Sequence, residues 1–100
     1  MQTTTLPMLT IIAEEVLKER LIEDLKHAGV KGYTWTLVEG EGSRHMRAGE
    51  VPGQNIKLEV ITTAEVTDRL LERLTKFYFP NYAVIAFVTQ VQVAGGEKYV

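Results

Sequence analysis

The sequence contains no cysteine. That excludes disulfide bridges, thiolate metal ligands, cysteine nucleophiles and thiol redox chemistry, and it fits a reducing compartment such as the cytoplasm. Histidine is scarce, with only His27 and His45. Neither has a carboxylate at a spacing known for metal ligation, so no metal is expected. There is no excess of positive charge: 11 Lys and Arg stand against 13 Asp and Glu, a net charge of -2. A general nucleic-acid binder carries a basic face, so nucleic acid is not an expected partner. The longest apolar run, Tyr82 to Val88, is far shorter than the roughly 20 residues that cross a bilayer. Met1 to Pro7 lacks the basic start and long apolar stretch of a signal peptide. The expectation is a cytoplasmic protein that meets a membrane, if at all, through a partner.

Catalytic signatures are missing too. The Gly-Glu-Gly-Ser stretch at 40–43 lacks the Lys-Ser/Thr end of a phosphate-binding P-loop, and no G-x-S-x-G nucleophile elbow occurs. Glu14 and Glu15 are adjacent, and on a helix neighbours do not face each other, so they make a poor acid-base pair. No catalytic residue is expected.

What is present describes one folding unit. With 100 residues, 45% hydrophobic and 24% charged, the chain is read as a single domain over 1–100. A domain this small buries a modest share of its surface, which favours association with copies of itself. Leu6 to Ile12 reads as a strand. Ala13, Leu17, Leu21, Leu25 and Ala28, widened by Val16, recur at helical spacing until Gly29 stops the helix. Tyr33, Trp35 and Leu37 alternate with Thr34 and Thr36 as a second strand, and Ile56, Leu58 and Val60 alternate with Lys57 and Glu59 as a third. Thr62 followed by Glu65 matches a capping box for a second helix, with Val66, Leu70, Leu74 and Phe77 inward and Pro80 beyond its end. Tyr82 to Val88 reads as a central strand that continues through Val91 and Val93, leaving a short tail over 94–100. Strand, helix, strand, twice over, is the α+β ferredoxin-like βαββαβ sandwich: a four-stranded antiparallel sheet with two helices on one face. The other face, expected to present Trp35 or its strand neighbours, is too apolar for water, and trimer formation would cover it.

The unusual segment joins the second and third strands. Hairpin loops commonly hold about 2 to 5 residues; this one runs over about 40–54, with glycines at 40, 42, 49 and 53. Arg44 and Arg47, three apart, can converge on one phosphate or carboxylate, with Ser43 and the amides beside Gly42 completing an anion nest. Solvated arginines on an exposed loop are the equal alternative. His45 could assist an anion contact, while His27 suits a helix C-terminus. The hydroxyls of Thr34 and Thr36 could reach a ligand at the loop base, although β-propensity alone accounts for them.

Together, Lys31-Gly32-Tyr33-Thr34, Gly42-Ser43-Arg44, Arg47, Gln54-Asn55-Ile56 and Phe79 to Ile85 resemble PII-like signalling proteins, and among them the branch associated with carboxysomes and bicarbonate transport. The likeness runs from the first strand to the fourth. It implies a compact homotrimer that binds an adenine nucleotide (AMP, ADP, ATP or cyclic AMP), with bicarbonate as a further ligand, in clefts between subunits. The segment 40–54 would be the T-loop that reports occupancy to a bicarbonate transporter or other carbon-uptake protein. It further implies Thr34, Gly42, Ser43, Arg44 and Arg47 as phosphate and ribose contacts, and Tyr82, Ala83 and Val84 as the adenine side. The glycine-rich B-loop and the modified loop tyrosine of nitrogen-sensing PII proteins are absent, as is a cysteine-bearing C-terminal extension. Two other classes compete: a phosphoryl hydrolase with Arg44 and Arg47 on the transferring phosphate, and an RNA-binding module stacking bases on sheet aromatics. The third strand has no aromatic residue.

Overall fold

The computed structural model describes residues 2–40 and 54–100. Its elements follow the order β1 (Thr4–Glu14), a 3-10 turn (Glu15–Leu17), α1 (Lys18–His27), β2 (Thr34–Val38), β3 (Asn55–Ile61), α2 (Ala64–Phe77), β4 (Val84–Val93) and a last 3-10 turn (Gly96–Tyr99). The four strands form one sheet in the order β2-β3-β1-β4, and every neighbouring pair is antiparallel. This is the expected ferredoxin-like fold.

Alternation along β1 and β3 builds the core. Leu9, Ile11 and Ala13 share one sheet face with Ile56, Leu58 and Val60, and all six are buried. Leu21, Ile22 and Leu25 of α1 and Leu70 and Leu74 of α2 close over them, so both helices lie on that face. α1 ends in a Schellman arrangement. Gly29, at φ 87°, supplies the left-handed turn, the Gly29 amide donates to Lys26 and the Val30 amide donates to Leu25.

Several expectations shift, each for a physical reason. β1 runs on to Glu14, so Ala13 fills the core from a strand and the helical turn starts one residue after Glu14. Val16 is 78% exposed; the inward stripe keeps Leu17 as expected and is widened by Ile22 instead of Val16, because the tight 3-10 start rotates Val16 outward. The cap of α2 is Thr63, whose hydroxyl accepts the Val66 amide at 3.2 Å. Thr62 is buried and its amide donates to the Pro7 carbonyl. At the far end of α2 the inward aromatic is Tyr78, buried, and Phe77 and Phe79 point to solvent. β4 lies at a sheet edge and not at its centre.

Trp35 is on the helix side of the sheet. Register pairs Trp35 with Leu58 and Leu37 with Ile56, and the Lys18 ammonium stands 3.5 Å from the Trp35 ring centroid. Both β2 residues stay substantially exposed even so. The open face carries Thr34, Thr36, Lys57, Glu59, Met8, Thr10, Ile12, Ile85 and Phe87 by the same register. The last 3-10 turn covers one end of that face, where Gly96 lies so close to Thr4 that a Cβ would meet the threonine Cβ at 2.7 Å. Among the described residues no helix is long and apolar enough to cross a membrane.

Candidate functional site

Of the residues singled out in the sequence, Gly42, Ser43, Arg44, His45 and Arg47 lie outside the described residues. The two ends of that segment, Gly40 and Gln54, lie at the end of the sheet where Val38 pairs with Asn55 and Asn55 faces Glu14. The Glu15 amide donates to the Gln54 carbonyl at 3.0 Å. The end of β1 therefore anchors the loop where it re-enters the sheet.

Tyr82, Ala83 and Val84 stand at the same end, on the far side of β1. After α2, the Phe79 amide donates to Leu74 and the Tyr82 amide donates to Tyr78, turning the chain back toward the sheet. Val84 then pairs with Ala13 as the first rung of β4. Ala83 has no rung beyond it. Its amide donates instead to the Glu14 side chain, at 3.1 Å from Oε2. Sequence reasoning placed Glu14 on an outer helix face; only the extension of β1 brings its carboxylate here.

Behind this turn lies a group of charged and aromatic side chains that ties α1 to α2. Asp24 accepts the Arg73 Nε–H at 2.8 Å and, on its other oxygen, the Tyr78 hydroxyl. The Arg20 guanidinium lies 5.0 Å from the Tyr78 ring centroid and 5.8 Å from that of Tyr82, and donates to the Tyr82 hydroxyl at 3.3 Å. Burial first, and then the bond to the Asp24 carboxylate, push the Tyr78 hydroxyl up to about 12 from an ordinary 10.0. The helical spacing of Arg20 and Asp24 was visible in the sequence, but nothing there pointed to a tyrosine 54 residues from Asp24.

Thr34 is on the opposite edge. It opens β2, is exposed, and faces Glu59 across the open face, with Lys57 and Glu59 side chains 4.0 Å apart beside it. The row Thr34, Glu59, Thr10, Phe87 crosses all four strands, so Thr34 and β4 are three strand spacings apart, about 14 Å. One chain does not bring Thr34 together with Tyr82, Ala83 and Val84. Among the described residues no three His, Cys, Asp or Glu side chains converge as metal ligands would.

Residues 6–98 match the family model for nitrogen regulatory protein P-II. The chain belongs to the P-II family. Its similarity to solved P-II structures is close. A PII-like signalling protein from Thermus thermophilus is 52% identical over 100% of both chains, with a TM-score of 0.86. CPII from Thiomonas intermedia, solved with ADP and bicarbonate, is 32% identical over 99% of this chain and 98% of its own, with a TM-score of 0.85. The same CPII solved with ADP, AMP and acetate is 30% identical over 99% and 98%, with a TM-score of 0.86. Among these relatives, CPII binds ADP and AMP, with bicarbonate as a further ligand.

Proposed function

We propose that this P-II family protein is a cytoplasmic sensor of adenine nucleotides, with bicarbonate as a further ligand, and that it controls inorganic-carbon acquisition through the T-loop at 40–54. On this reading it is not an enzyme: occupancy, not turnover, is the signal. The ligands named for CPII, ADP and AMP with bicarbonate, at 32% identity over almost the whole chain, carry the proposal. The receiver would be a bicarbonate transporter or another carbon-uptake or carboxysome-associated protein.

The separation of the site residues supports a homotrimer. A ligand touching both Thr34 and Tyr82–Val84 of one chain would lie across a flat sheet, open to water on one side. Two copies set edge to edge would bring Thr34 of one against Tyr82, Ala83 and Val84 of the next and enclose the ligand. Ile85 and Phe87 on the open face, each nearly half exposed in the single chain, give such an assembly an apolar surface to bury.

Calorimetric titration with AMP, ADP, ATP and cyclic AMP, with and without bicarbonate, tests the proposal. Binding in the micromolar to low-millimolar range is expected. Arg44→Ala and Arg47→Ala should each weaken phosphate-bearing ligands by roughly 1.5 to 3 kcal/mol, the contribution of a hydrogen bond to a charged group. No binding of any of the four, or steady nucleotide consumption by the wild type that those substitutions abolish, would contradict it.

A further inference from the structure

The Tyr82–Ala83 turn is held from outside by two charged side chains that belong to one short stretch of chain. Glu14, the last residue of β1, accepts the Ala83 amide, and Arg20, in the first turns of α1, donates to the Tyr82 hydroxyl while its guanidinium faces the Tyr82 ring. Neither contact belongs to the sheet ladder or to the hydrophobic core. We propose that Glu14 and Arg20 are positioning residues of the nucleotide site, which set the Tyr82–Ala83 turn as the wall that receives the adenine; this rests on the function proposed above.

The chemistry of each contact favours this role. An edge strand normally leaves its amide beyond the last rung to water. Here the carboxylate takes that place, so the strand direction at Ala83 is fixed by a side chain one residue past the Ala13–Val84 rung. A charge-assisted bond of this kind is stronger than one to a neutral acceptor. Arg20 needs its planar form: it stacks beside two rings and still points an N–H at a phenol oxygen, a combination that lysine cannot make. The Glu15 amide, next in the chain, holds Gln54 at the loop's return. One strand-to-helix junction thus fixes the adenine-facing turn and the base of the T-loop together.

The two side chains touch the turn, and on this proposal they act through it and not on the phosphates, which gives the test its discrimination. AMP and ADP share both the adenosine end and the α-phosphate, whereas adenosine has no phosphate. Calorimetry on Glu14→Ala and Arg20→Ala should show adenosine, AMP and ADP all weakened by about tenfold, and by the same factor, as expected for a lost positioning bond of about 1.4 kcal/mol. Glu14→Gln keeps an oxygen acceptor and should recover most of the affinity. In a double-mutant cycle with Tyr82→Phe, the effect of Arg20→Ala should shrink, because the hydroxyl it served is gone. Wild-type affinity in Glu14→Ala and Arg20→Ala, with only a lower melting temperature, would overturn the inference and leave the nucleotide reading standing. A loss for AMP and ADP with adenosine unaffected, or a loss confined to ADP, would place these residues on the phosphate side and overturn it as well. Wild-type protein that binds neither AMP nor ADP would remove the reading on which it rests.

Discussion

Tyr78 links the two helices through a single hydroxyl. Its ring is buried against the core, and its O–H donates to an Asp24 carboxylate that also receives Arg73. The raised pKa has a definite consequence for stability. With a folded value of about 12 and an ordinary value of 10.0, the native state keeps a proton that the unfolded chain releases. The contribution is complete below pH about 10 and is lost as the pH rises toward about 12. Urea midpoints of the wild type should therefore fall more steeply over that window than those of Tyr78→Phe. Identical slopes would mean that burial and the Asp24 bond do not together hold the proton on the hydroxyl. At neutral pH, Tyr78→Phe should cost about 1 kcal/mol, the net worth of one hydrogen bond, because Arg73 still neutralises Asp24.

At the scale of elements, ends matter more than middles. α2 starts at Thr63, whose side chain caps Val66 and whose carbonyl accepts the Thr67 hydroxyl at 2.8 Å. Thr63→Ala should lower stability by about 1 kcal/mol in a chemical denaturation series, and Thr62→Ala should act by a different route, through loss of a packed core group. Gly29→Ala, at φ 87°, should also destabilise by about 1 kcal/mol, since a Cβ is disfavoured in the left-handed region. The middles of these elements were legible in the sequence: Ile56, Leu58 and Val60 alternate inward as a strand demands, and Leu21, Leu25, Leu70 and Leu74 repeat with the helical period. The ends were not. Ala13 favours a helix by propensity and also fits the helical spacing of Leu17 and Leu21, so the pattern alone could not show β1 running to Glu14. Two threonines in a row made the cap ambiguous, and three successive aromatics at 77–79 left the choice of core residue to the geometry of the last helical turn. For the candidate site, Tyr82, Ala83 and Val84 could be named only through the resemblance to PII-like proteins, and Glu14 and Arg20 enter only through contacts between residues 62 to 69 positions apart in the chain.

At the scale of the whole molecule, the sheet has two edges, and the residues expected to bind one ligand sit on both of them. The open face between them is polar on the β2 side, with Thr34, Thr36, Lys57 and Glu59, and apolar on the β4 side, with Ile85 and Phe87. A trimer that buries the apolar side should be broken by a charge placed there. Phe87→Glu is expected to shift the sedimentation mass toward a single chain and to abolish nucleotide binding with it. A variant that stays assembled, or that binds as a monomer, would separate the ligand site from the assembly. The most direct measurement is a crystal structure of the protein grown with ADP. It should show the nucleotide between two copies, with the Thr34 edge of one and the Tyr82–Val84 turn of the next on either side of it; ADP resting on one chain alone, or away from both edges, would contradict that placement.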